Sequence, residues 1–180
     1  MSARTMDRTT HTVQPPRHLT VDTPVGRYLI AAQHTSDGDA VTGVWRDQQK
    51  HFPRAGRLGE QAEDGDALLA EASLQLLQYL AGEREGFDLP LRAEGTPFQL
   101  RVWEQLRAIP YGGTTTYGTL ARDLGAPRAS QAVGAAVGAN PLSILVPCHR
   151  VVAADGRLTG YAGGLETKQA LLGLEGALPR

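Results

Sequence analysis

Ile144-Leu145-Val146-Pro147-Cys148-His149-Arg150-Val151-Val152 is an apolar run of strand character, broken at its centre by residues for which a buried strand has no packing use. The break contains the only cysteine of the chain. In a regular strand neighbouring side chains point to opposite faces, so His149 could not serve Cys148 directly. Pro147 weakens that objection, because it deletes a ladder donor and favours a strand that ends or bends at the cysteine. A thiol there has a chemical use. It titrates near ~8.5 when free, a neighbouring base or cation lowers that value, and the thiolate is the nucleophile. The bland alternative is a small buried hydrophobe followed by a solvated strand end. One Cys with one His is a weak signature by itself, so the surroundings decide.

Upstream, Asn140-Pro141 breaks a helix, and Leu142 to Val146 leads into the cysteine. Downstream come a turn at Asp155-Gly156 and the loop Gly160-Tyr161-Ala162-Gly163-Gly164, able to close over a small pocket. A last helix, residues 166–174, ends at Glu175-Gly176. A carboxylate at a helix C-terminus opposes the dipole. A positive partner would explain it, and a protonatable His149 is one candidate.

Three further helices precede this region. Thr96-Pro97-Phe98-Gln99 opens the first, with Thr as cap, Pro at the first helical position and Gln completing a capping box. Phe98, Val102, Leu106 and Ile109 form its stripe, with Trp103 beside it. The second runs from Tyr117 to Leu124 and stops at Gly125. After Ala126-Pro127-Arg128 comes the third, Ala129 to Gly138. Helix, short Gly-containing turn, helix is the spacing of a helix-turn-helix. If Val133, Ala136 and Val137 pack inward, the outer face is Gln131, Gly134, Ala135 and Gly138, with one polar side chain and no charge. Major-groove readout wants long polar side chains reaching base edges. A smooth face suits a groove met by shape, or it merely permits helix–helix contact; both readings stay open.

The first half carries no cluster that suggests chemistry. His18 to Ala32 reads as a hairpin around Pro24-Val25-Gly26, and Val41 to Arg46 as a third strand. Residues 48–65 read as a loop with little fixed structure. A helix over residues 66–81 carries the stripe Leu69, Ala72, Leu76 and Leu80. His34 and His51 read as lone surface histidines. Residues 1–17 lack the apolar centre of a signal peptide and read as a disordered tail. The expected organisation is α/β (α+β): tail 1–17, an N-terminal α/β domain 18–91, and a mostly helical domain 92–180.

Composition bounds the function. No apolar stretch is long enough to cross a membrane. A single cysteine forbids an intrachain disulfide, which fits a reducing cytoplasm, and excludes a Cys-rich zinc site. The net charge is −1, but it is unevenly spread. Residues 1–95 hold 10 Lys/Arg against 14 Asp/Glu, whereas residues 96–180 hold 8 against 5. The cysteine-bearing half is the basic one, a mild pointer to an anionic partner. No apolar heptad or repeat is present, so a monomer is expected.

Residues 96–177 resemble the O6-alkylguanine-DNA alkyltransferases (methylated-DNA–protein-cysteine methyltransferases). Pro147-Cys148-His149-Arg150 looks like that family's active-site motif, and Asn140-Pro141, Gly160 to Gly164 and Glu175-Gly176 follow in matching order and spacing. The N-terminal part is similar to the family's small ribonuclease-H-like domain in layout, and the C-terminal part to its winged-helix-like domain.

The resemblance implies a repair protein acting on double-stranded DNA. It would flip out O6-alkylguanine, with O4-alkylthymine a further candidate, and transfer the alkyl group irreversibly to Cys148, once per molecule. No cofactor or metal is implied. His149, through a water, would be the base, Glu175 would orient and charge it, and Asn140 would hold the turn. Tyr117, Arg128, Gln131 and Arg150 would contact DNA or the base. Tyr161 would wall the pocket, Val151 and Ala162 would offer backbone groups to guanine, and Lys168 matches a lysine near the pocket. Two positions depart from the family: Gln131 stands where an arginine commonly fills the gap left by the flipped base, and Ala162 where some relatives have Ser. The competing readings are a DNA-binding module without chemistry and a Cys-His hydrolase.

Overall fold

Thr23 and Gly26 close a two-residue turn at Pro24-Val25, with the Thr23 hydroxyl donating to the Gly26 carbonyl at 2.6 Å. This hairpin joins β1 (Arg17–Thr23) to β2 (Gly26–Thr35), and a second turn leads to β3 (Gly38–Arg46). The computed structural model describes residues 15–178. Residues 1–14 of the expected tail lie outside the described residues, but Arg17 is not tail: it opens β1 and forms ion pairs with Asp39 and Asp66.

The segment over residues 48–65 is more ordered than its composition suggests. It contains a short helix, α1 (Ala55–Leu58), and a strand, β4 (Glu60–Gln61), that pairs in parallel with the free edge of β1. The sheet order is β3-β2-β1-β4. Glu60 and Gln61 are exposed, so the pairing is made by backbone and leaves no mark in side-chain periodicity. Asp66 caps α2 (Ala67–Leu80) by accepting from the Leu69 N–H at 3.0 Å. Its buried face, Leu69, Ala72, Leu76 and Tyr79, packs on the sheet.

The capping box at Thr96 and Gln99 starts α3 (Pro97–Arg107) as expected. A short strand, β5 (Thr115–Thr116), leads into α4 (Tyr117–Asp123), and α5 (Ser130–Gly138) follows after Gly125, which takes φ +71°. The indole N–H of Trp103 donates to the Ala136 carbonyl at 2.8 Å and pins α3 to α5.

The run over residues 144–152 is a strand only at its end. Ile144 takes φ +71°, the Val146 N–H returns to Leu142 at 2.8 Å, and Cys148–Arg150 forms one 3-10 turn. Only Val151–Val152 is extended, as β6 beside β5. Helix α6 (Leu165–Leu174) closes the described chain.

Strand β3 is the seam between the two halves. Val41 bonds with Pro90 and Arg92, and Val44 with Pro141 and Ser143. The apolar core therefore runs without interruption across residue 92, from Ile30 and Val44 to Leu142 and Val151. Among the described residues no helix is long and apolar enough to cross a membrane.

Candidate active site

The break of α5 at Asn140-Pro141 places a side-chain amide where the chain turns. Asn140 Nδ2 donates to the Val146 carbonyl at 2.9 Å, and its Oδ1 accepts from the Leu142 N–H at 3.0 Å. One buried residue thus staples both ends of the loop that delivers Cys148. The thiol is free and 5% exposed. Burial pushes it up, while the Asn140 amide and the Lys168 charge pull the other way without prevailing. The resting form is a thiol.

His149 is fully buried, and its Nε2 lies 2.6 Å from Glu175 Oε1. Burial lowers its pKa below the ordinary 6.5 despite the carboxylate, so the resting imidazole is neutral. A carboxylate only accepts, so Nε2 carries the proton. Nδ1 is left as the basic atom, and no described residue hydrogen-bonds to it.

Glu175 caps α6 and is itself buried. Burial alone would raise its pKa, but hydrogen bonds from His149, Arg150 and Tyr79 outweigh it and bring it to about 2. Arg150 donates to Glu175 from Nε at 2.8 Å and Nη2 at 3.2 Å, and to the Ile109 carbonyl from Nη1 at 2.6 Å. The Gly112 N–H also reaches Glu175, at 3.2 Å.

Two expectations change. Arg150 does not face a groove: it is 6% exposed and engaged by Glu175 and Ile109, since a buried carboxylate needs a buried cation. The cation that accounts for Glu175 is therefore Arg150 and not a resting imidazolium. Glu175 fixes the histidine tautomer and would stabilise its charge once formed.

Tyr79 was missed. It sits on α2, in the half read as free of chemistry, yet its hydroxyl donates to Glu175. The available signal was a phenol within an apolar stripe, because a buried Tyr hydroxyl needs a partner.

Lys168 is fully buried and donates from Nζ to the carbonyls of Val151 and Thr159, tying β6 to the loop that follows. Burial lowers its pKa to about 8. The Val151 N–H bonds to the Cys148 carbonyl and its own carbonyl accepts Lys168. Only the second lone pair of that carbonyl is left for a base, less than the sequence reading gave it. The Tyr117 hydroxyl donates to Thr159 at 3.1 Å.

Tyr117, Gln131, Tyr161 and Ala162 line a groove of about 660 Å³ between α5 and the loop of residues 159–162. Burial raises the Tyr117 and Tyr161 phenols, and a charge on Cys148 would add to both. Gly134, Ala135 and Gly138 complete the small-residue wall. Arg128 is exposed in the turn before α5 and is not on the wall.

A family description, 6-O-methylguanine DNA methyltransferase, DNA binding domain, matches residues 97–177. A methylated-DNA–protein-cysteine methyltransferase of Methanosarcina acetivorans is 54% identical over 114 residues, 63% of this chain and 73% of that protein. One from Mycolicibacterium paratuberculosis is 45% identical over 158 residues, 88% of this chain and 91% of that protein. The chain belongs to this family. Its fold also matches the crystal structure of Mycobacterium tuberculosis OGT in complex with DNA, with a TM-score of 0.75 and 41% identity over 88% of this chain and 92% of that one. Membership in the methyltransferase family accords with a cysteine set beside a neutral, carboxylate-oriented imidazole.

Proposed function

We propose that this protein repairs double-stranded DNA by taking the alkyl group from O6 of guanine onto Cys148. The observation that carries the reading is the set Cys148, His149 and Glu175, with His149 Nδ1 left as the basic atom and Nε2 fixed on Glu175 at 2.6 Å. Support comes from the family and from the relative of the same fold crystallised with DNA.

The lesion base leaves the stack at a cost of about a few kcal/mol. It enters beside Tyr161 and Ala162. The Cys148 proton passes through a water to His149 Nδ1, and the imidazolium is stabilised by Glu175. The thiolate attacks the alkyl carbon in line. The carbon–oxygen bond breaks, its electron pair stays with the guanine, and a proton equivalent to the one lost by the thiol completes it. The thioether is stable, so Cys148 is spent.

In this reading α4, the turn and α5 act as a helix-turn-helix. Tyr117 helps to turn the nucleotide out, and Gln131 stands at the gap it leaves. Arg128 contacts the DNA, and the protein acts as a monomer in the cytoplasm. The test is a titration of a duplex bearing one O6-methylguanine with increasing protein. Repair that plateaus at one lesion per molecule supports the proposal. Repeated turnover would make the protein a hydrolase, and binding without repair a lesion-binding module.

A further inference from the structure

Residues 1–95 are the acidic half, yet residues 48–59 hold Lys50, His51, Arg54 and Arg57 and no carboxylate. The fold brings the start of this stretch, Lys50 and His51, to the groove. Lys50 and His51 are exposed and line it together with Gln131, Gly138, Tyr161 and Ala162. Lys50 is the only formally charged residue in that lining.

The loop is shaped to hold it there. Gln48 and His51 take φ +58° and +62°, left-handed values that cost a non-glycine residue about 1 kcal/mol or more. Between them Gln49 turns inward, 8% exposed, and accepts the Arg46 N–H at 2.8 Å. The Lys50 N–H donates to the Ala162 carbonyl at 3.1 Å, which ties the loop to the wall of the pocket. A phosphate backbone recruits Lys and Arg, and the outer face of α5 offers neither.

We propose that Lys50, with His51 beside it, binds a backbone phosphate of the DNA, so that the N-terminal half supplies the second wall of the DNA groove. This rests on the proposed function. It also makes the loop over residues 159–164 sensitive to DNA engagement, since Lys50 and Ala162 are joined through the backbone.

The test uses the full chain, the Lys50→Ala variant and a Lys50→Arg control. Duplex affinity is measured against salt, and alkyl transfer is measured from a lesion duplex and from O6-benzylguanine as a free base. Loss of one phosphate contact flattens the log–log salt slope by about 0.9 and weakens binding about 8-fold at 0.1 M salt relative to 1 M. The expected result is that flattening in Lys50→Ala, a slower duplex reaction, an unchanged free-base reaction, and recovery in Lys50→Arg. An unchanged slope overturns the proposal, as does an equal loss on the free base, which would place the effect in the pocket. If the parent reacts with neither substrate, the proposed function fails, and the salt slope still decides the phosphate contact.

Discussion

Replacing Arg150 by Met removes the cation from beneath the site while keeping most of the side-chain volume. Three hydrogen bonds go: 2.8 and 3.2 Å to Glu175, and 2.6 Å to Ile109. Glu175 remains buried, as a charge held only by His149, Tyr79 and Gly112. Breaking a buried pair in this way costs about 3–5 kcal/mol. For a chain of this size that lowers Tm by about 6–20 °C. Arg150 also helps to hold the Glu175 carboxyl down to about 2, so its removal raises that carboxyl and weakens the grip on His149. Urea unfolding gives the stability, and single-turnover transfer on folded protein gives the chemistry. The double variant Arg150→Met with Glu175→Gln should regain part of the loss, because no unpaired charge is left buried. A loss below about 1 kcal/mol for Arg150→Met, or a double variant as unstable as the two single changes summed, would refute the buried-pair account.

Asn140→Ala unstaples the loop that carries Cys148 and orphans the buried Leu142 N–H, while the Val146 carbonyl keeps only the Cys148 N–H, with an expected loss of about 2 kcal/mol and a fall in transfer rate; unfolding curves and rates together check it. Tyr28→Phe should leave stability unchanged or raise it, since this fully buried hydroxyl has no partner among the described residues; a Tm drop would show otherwise. The transfer rate should hold as pH falls through 6.5, because burial lowers the pKa of His149 and keeps the base neutral there; a rate already halved at pH 6.5 counts against it. Glu175 is lowered from 4.5 to about 2, so its contribution to stability is full above pH 4.5 and is lost as pH falls through about 2; Glu175→Gln should flatten acid unfolding in that window. Gln131→Arg should strengthen duplex binding or speed repair, and no change in either would remove Gln131 from the flipping step.

What the sequence disclosed followed patterns with a local physical cause. The capping box at Thr96 and Gln99, the stop at Gly125 and the hairpin at Pro24-Val25 are all readable because the residues that shape each feature are adjacent. Pro147 likewise announced that the run at 144–152 could not be a plain strand. What stayed hidden depends on contacts between distant residues. The β1–β4 pairing is made by backbone, so exposed Glu60 and Gln61 look like loop. Arg150 and Glu175 lie 25 residues apart, and nothing local marks a guanidinium as buried or groove-facing. Tyr79 reaches Glu175 across 96 residues. The left-handed turns at Gln48 and His51, which carry Lys50 to the groove, occur at residues with no conformational signature.

The most direct test is intact-protein mass spectrometry after incubation with a duplex bearing one O6-methylguanine, with Cys148→Ser alongside and peptide mapping of the product. The account predicts one added methyl group, located on Cys148, absent from the variant and equal in amount to the lesion repaired. Tight binding with no change in mass, or a methyl group found on any other residue, would contradict it.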